Sequence, residues 1–294
     1  MSTTSSPVPS RALVLGGGGS AGNAWLIGVI AGLFDAGLDV TQADVIIGTS
    51  AGATAAAQIT GASPPALLAN ILGTPAPPAS PRLTGPMPDA MDTTSRIIAA
   101  SSDAADLRRR MGAAALAAGS GSDGSAEAQR RATVATRLPS QQWHPSVRIV
   151  AVDAHSGEPM VFDRSSGVAL ADAVTASCAL GFGVPPHPIG EHAYIDGGWR
   201  SNANADLAAG YDRVLVLAPL ADRSRTPLAW GMNVPAQLDV LRAGGSWVET
   251  VFPDGPSLEA LGTNLMDPAA RPPSARAGCD QGRAVAERIA AFWS

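Results

Sequence analysis

Two strand–glycine–helix passages near the start of this chain leave it few folds to adopt. The first is an apolar run, Ala12–Leu15, that meets four glycines, Gly16–Gly19. A stretch with helical apolar spacing follows from about Ala21 to Ala36, closed by Gly37 as a C-cap. The second is Asp44–Ile47, which enters Gly48-Thr49-Ser50-Ala51-Gly52 and an alanine-rich helix reaching about Thr60. Short, wholly apolar strands alternating with helices are the pattern of a parallel sheet covered on both faces.

The pattern resumes at Val147–Asp153, where a turn at His155–Gly157 and a return strand near Met160–Phe162 predict a hairpin. A helix over about Leu170–Ala179 and a short strand Tyr194–Asp196, running into Gly197-Gly198, come next. Arg213–Ala218 reads as another buried strand, Val248–Phe252 as one more, and roughly Ala275–Trp293 as an amphipathic C-terminal helix. From about 62 to 143 the pattern is broken by Pro64-Pro65, the stretch Pro75–Pro88 and Gly119–Gly124, with helical segments such as Ala104–Ala118 between them. That region reads as a helical insertion, either a lid with mobile joints or a peripheral layer with loose loops. Residues 1–10 read as a flexible N-terminus to one domain of 294 residues.

Composition excludes several functions. With 46% hydrophobic residues the chain can bury a large core, and its net charge of −5 argues against a nucleic-acid groove. Arg108–Arg110 and Arg130–Arg131 are short basic runs that suit solvated helix faces. Cys178 and Cys279 have no metal or redox spacing and read as reduced thiols. The start lacks the features of a signal peptide, and the longest strongly apolar run, Ala24–Phe34, is shorter than the ~18 residues of a membrane span. A soluble cytoplasmic protein is the expectation.

Gly48-Thr49-Ser50-Ala51-Gly52 fits G-x-S-x-G between a strand and a helix. There a serine sits on a sharp turn, its hydroxyl exposed and the helix N-terminus beside it. Gly17-x-Gly19-x-x-Gly22 also fits a dinucleotide fingerprint, but that use wants an acidic residue at the end of the second strand, where the Ser50 turn stands instead. Asn23 follows Gly22 where a P-loop requires lysine. The remaining use is an oxyanion hole made by backbone N–H groups of Gly17, Gly18 and Gly19. His144, His155, His187 and His192 all precede the best acid, Asp196, which is not the hydrolase order of acid before histidine. Asp196, at a strand end before Gly197 and Gly198, reads either as a turn residue or as the single carboxylate that a Ser–Asp dyad needs.

LVLGGGGSAGNAWLIGVIAGL, DVIIGTSAGA and AYIDGG, in that order, resemble the patatin-like phospholipase family of bacterial type. The likeness extends to VRIVAVDAHSGEPMVFDR and NADLAAGYDRVLVLAPL, so it spans most of the chain outside about 62–143. It implies a three-layer α/β/α sandwich around a mainly parallel sheet. It implies Ser50 as nucleophile, Asp196 as base, an oxyanion hole on Gly17–Gly19, and motif glycines at Gly22, Gly48, Gly52, Gly197 and Gly198. The implied activity is lipid acyl hydrolysis without metal or organic cofactor, on lipid or other acyl-ester substrates met in transient contact with a membrane surface. Two departures stand out. Ala21 occupies a position where many members carry Arg or Lys, and Asn202/Asn204 match the family's Asn-x-Pro only loosely. Two other functions fit the same motifs: acyl transfer to an alcohol or amine, and non-catalytic lipid binding. Trp25 and Trp199 flank the motifs and read as core or as acyl-pocket lining.

Overall fold

The computed structural model describes residues 9–74, 87–181 and 183–293. Most of the N-terminal stretch 1–10 and of Pro75–Pro88 lies outside the described residues. The first passage runs β1 (Arg11–Leu15), α1 (Gly19–Asp35), β2 (Val45–Thr49) and α2 (Ala51–Ile59). Four helices follow: α3 (Pro64–Gly73), α4 (Met87–Ala100), α5 (Ala104–Ala118) and α6 (Ser125–Arg137). Then come β3 (Val147–Asp153), β4 (Pro159–Phe162), α7 (Leu170–Ser177), β5 (His187–Ile189) and β6 (His192–Asp196). The chain closes with β7 (Arg213–Leu217), α8 (Val234–Ala243), β8 (Trp247–Val251), α9 (Gly255–Leu261) and α10 (Arg271–Trp293).

The strands form one sheet in the order β5-β6-β3-β2-β1-β7-β8, with β4 also paired to β3. The centre is parallel, as the sequence predicts, and β4, β5 and β6 form an antiparallel margin. Strand β5 is an addition: its His187-Pro188-Ile189 sequence gives no apolar run to read. Alternate strand residues face opposite layers. Leu13, Leu15, Ile46, Ile149 and Leu215 pack with α1, α2, α7 and α10. Ala12, Val14, Ile47, Val150 and Val216 pack on the other face with Val234, Leu238 and Leu241 of α8. The result is the expected three-layer α/β/α sandwich.

Helix α1 is buried on every side from Ala21 to Leu33 because α10 lies directly on it. The two helices meet through small residues. A Cβ on Gly28 would come within 2.2 Å of the Ala275 carbonyl oxygen, and one on Gly282 within 2.3 Å of the Val29 carbonyl oxygen. Helix α5 is a packed element of the insertion. Leu107, Met111 and Ala115 are fully buried against Val152, Ala154 and Ile195.

One topological detail sets the site. Residues Ile149 and Val150 of β3 pair with both β2 and β4, so those strands lie on opposite edges of β3. Ala151 and Val152 pair with both β4 and β6, which puts β6 on the edge that β2 occupies. Strands β2 and β6 therefore lie end to end. Thr49 pairs with Val150 and Asp196 with Ala151, the next residue along.

Candidate active site

That register brings the end of β2 to the end of β6, and Ser50 is the first residue past β2. Ser50 has φ 53° and ψ −113°, a backbone conformation costly for a residue with a Cβ. The turn can be this tight because glycines flank it. A Cβ on Gly48 would meet the Gly52 carbonyl oxygen at 2.6 Å, and one on Gly52 the Leu15 carbonyl oxygen at 1.9 Å. Polar contacts from α7 hold the strained turn. The Ser50 N–H donates to Ser177 Oγ at 2.9 Å, and Ser177 Oγ donates to the Val150 carbonyl at 2.6 Å. Cys178 Sγ donates to the Ser50 carbonyl at 3.4 Å. Burial, with the Asp196 charge nearby, pushes the Cys178 thiol up to about 12, so it remains protonated.

Asp196 is 3% exposed and lines the same cavity as Ser50. Its Oδ1 accepts from the Gly198 N–H at 2.7 Å, while Oδ2 is buried without a hydrogen-bond partner. Burial pushes its carboxyl up to about 6, opposed by the Gly198 N–H and by the neighbouring Ser50 hydroxyl. Ser50 and Asp196 are neighbours, and no hydrogen bond joins them in this structure. Asn204 ties the two loops together. Its Nδ2 donates to Thr49 Oγ1 at 2.9 Å and to the Gly197 carbonyl at 3.2 Å, and its Oδ1 accepts from Arg200 at 2.7 Å.

The glycine loop forms the opposite wall. The Gly17 N–H is already donated to the Asn202 carbonyl at 2.7 Å, so Gly17 adds close approach rather than a free donor. The N–H groups of Gly18 and Gly19 have no partner among the described residues. Gly19 has φ 63°, and a Cβ there would meet the Leu265 carbonyl oxygen at 2.8 Å. Helices α1 and α2 both begin at this cavity, so two positive helix ends flank Ser50. At Ala21 no cation is present, but one arrives from another element. Arg271 Nη1 donates to the Ser20 carbonyl at 3.0 Å and to Asn23 Oδ1 at 3.2 Å, on either side of Ala21.

The cavity has a volume of about 450 Å³ and a mostly apolar lining that includes Ile98, Leu180, Trp199, Met232 and Met266. Arg223 and Arg225 also line it. Trp199 is thus in the lining, whereas Trp25 is fully buried in the core with its Nε1 donated to Gln281. None of the four histidines lines the cavity. His187 is paired with Asp172 at 2.9 Å, His192 with Asp153 at 2.9 Å, and His144 with Ser146 at 2.8 Å. Among the described residues no cluster of His, Cys, Asp and Glu could hold a metal ion, and no helix is long and apolar enough to cross a membrane.

The structure brings the sequence-predicted Ser50, Asp196 and Gly17–Gly19 together in one cavity lining, and adds Ser177, Cys178 and Arg271, which the sequence did not single out. Nothing in their local sequence marks them, because each acts across a long sequence separation.

No curated protein sequence matches the chain. Among solved structures it is similar to VipD from Legionella pneumophila, with a TM-score of 0.43 and 13% identity, covering 97% of this chain and 68% of that one. It is also similar to the type III effector protein ExoU, with a TM-score of 0.36 and 17% identity, covering 95% of this chain and 54% of that one. A family model for patatin-like phospholipase matches residues 13–209, from β1 through Ser50 and Asp196 to just past Asn204. That match covers more than half of the sequence, and the chain belongs to the patatin-like phospholipase family.

Proposed function

We propose that this protein is a serine acyl hydrolase that cleaves carboxylic esters of lipids with a Ser50–Asp196 dyad. The observation that carries the reading is the shared cavity. A serine held at positive φ at a helix start lies beside a buried carboxylate whose Oδ2 has no other partner.

Ser50 Oγ attacks the acyl carbonyl carbon while its proton passes to Asp196 Oδ2. A carboxyl raised to about 6 is a stronger base than an ordinary one and is still mostly ionised at neutral pH. The negative charge that develops on the carbonyl oxygen falls to the Gly18 and Gly19 N–H groups and the two helix ends. Asp196 returns the proton to the departing alkoxide, leaving an acyl ester on Ser50. Water, deprotonated by Asp196, then releases the fatty acid and restores Ser50.

The apolar lining suits the acyl chain, and Arg223 suits an anionic part of the substrate. Met266, 51% exposed, belongs to this lining and suits contact with a lipid surface. The whole chain is one acyl-hydrolase domain, to whose cavity wall the helical insertion contributes Ile98 of α4.

The test is hydrolysis of a soluble short-chain ester and of phospholipid vesicles by wild type and Ser50→Ala. Loss of both activities in a folded variant supports the reading, and near-wild-type turnover overturns it. An added alcohol that captures the acyl group faster than water would shift the reaction to transfer on the same dyad.

A further inference from the structure

A second cavity, of about 510 Å³, lies between α3, the end of α6, the start of α10 and the first turn of α1. It shares no lining residue with the Ser50 cavity. Among the described residues its charged lining is Arg137 and Arg271, with no Asp or Glu. The stretch 75–86, which follows Thr74 of that lining in sequence, contains no acidic residue either.

Some arginines pair with carboxylates, as in Arg131–Asp172, Arg283–Asp35 and Arg200–Asp206, and others, such as Arg108 and Arg130, donate to single carbonyls. Arg271 and Arg137 have no such partner among the described residues. All the hydrogen bonds of the Arg271 guanidinium are made by Nη1, to the Ser20 carbonyl, Ser20 Oγ and Asn23 Oδ1, and every one of these acceptors is neutral. Among the described residues its Nη2 and Nε make none, and neither does the Arg137 guanidinium. Burial and the like charge of Arg137 both press the Arg271 pKa down. Two cations facing one partly enclosed space without a counter-charge are unfavourable unless an anion joins them.

We propose that this cavity is a binding site for a phosphate-class oxyanion, held by the guanidinium forks of Arg137 and Arg271. Planar guanidinium groups match the oxygen spacing of phosphate, and Nη2 and Nε of Arg271 are a free fork edge for it. Gln58 and Asn70 line the same space and supply neutral donors. The occupant would sit one residue from each loop of the Ser50 site. Arg271 grips Ser20, next to Gly19, and Asn23 Nδ2 donates to the Ala51 carbonyl at 3.3 Å. The proposal does not depend on Ser50 being a nucleophile.

The experiment follows thermal unfolding of the full chain during titration with inorganic phosphate, against chloride at matched ionic strength. Wild type and Ser50→Ala should show a saturable rise in Tm. Arg137→Gln removes an exposed side chain without partners among the described residues and relieves its repulsion with Arg271, so its Tm without phosphate should equal or exceed wild type and its ester turnover should equal it. Its phosphate midpoint should rise about tenfold or more. Co-sedimentation with phosphatidylcholine vesicles, with and without phosphatidic acid, separates the two sources. Arg137-dependent binding to the acidic vesicles, displaced by free phosphate, assigns a lipid headgroup, and its absence alongside the Tm rise assigns a soluble phosphate. No rise in wild type, or an equal midpoint in wild type and Arg137→Gln, overturns the proposal.

Discussion

Ser177 joins Ser50 to the sheet: its one hydroxyl accepts from the Ser50 N–H and donates to the carbonyl of Val150 on β3. The side chain is fully buried, so replacing it leaves an N–H and a C=O without partners inside the protein. Ser177→Ala should destabilise the fold by about 1–3 kcal/mol. It should also lower kcat on a soluble ester more than it raises KM, because the elbow that aims Ser50 loses its anchor. Unchanged Tm and unchanged kcat would show that the turn is held by its glycines alone.

Asp196 makes a prediction with opposite signs for stability and activity. Its carboxyl has an ordinary value of 3.8 and stands at about 6 in the fold. Below pH 3.8 the folded and unfolded chains both carry the proton. As pH rises from there to about 6, the unfolded chain ionises first, so stability falls through that window and stays reduced above it. Asp196→Asn removes the buried charge and should stabilise the protein at neutral pH by on the order of 3 kcal/mol, with little change below pH 3.8. The same variant should be inactive. Urea unfolding at several pH values checks the first part, and ester hydrolysis checks the second.

The wild-type rate should follow the same group. With ionised Asp196 as the proposed base, kcat/KM should fall about tenfold per pH unit below about 6 and be flat from there towards neutrality. A limb that survives in each of His144→Gln, His155→Gln, His187→Gln and His192→Gln assigns it to the carboxylate. Those four variants should keep substantial activity, since no histidine lines the cavity. One folded histidine variant as inactive as Ser50→Ala would restore a triad.

The crossing of α1 and α10 offers a stability test far from the chemistry. Gly282→Leu would drive a side chain into the Val29 carbonyl of the facing helix and force the two apart. The expected cost is about 3 kcal/mol or more, while Gly37→Ala, where a Cβ meets nothing, should cost only the strain of its φ of 86°. Equal effects at both positions would contradict close packing as the reason for these glycines.

The parallel core and the Ser50 turn were legible in the sequence because their signals are local. Apolar runs such as Ala12–Leu15 and the glycines around Ser50 report the constraints that their own turns impose. The junction of β2 and β6 on one edge of β3 is set by the pairing of Ala151 with Asp196, forty-five residues apart, and no local pattern encodes it. Gly17 shows the same limit. Its place in the glycine run suggested a free donor, but the Asn202 carbonyl, far along the chain, takes its N–H. The cation absent at Ala21 was visible, whereas the approach of Arg271 to Ser20 and Asn23 depends on how α10 lies against α1.

The dyad is tested most directly by covalent labelling with a fluorophosphonate ester, followed by mass spectrometry of the intact protein and its peptides. The account predicts one adduct per chain, on Ser50, that forms more slowly below about pH 6 and is absent in Ser50→Ala. Asp196→Asn should label far more slowly than wild type while remaining folded. A wild-type protein that takes no label, or an adduct that persists in Ser50→Ala, would contradict Ser50 as the nucleophile.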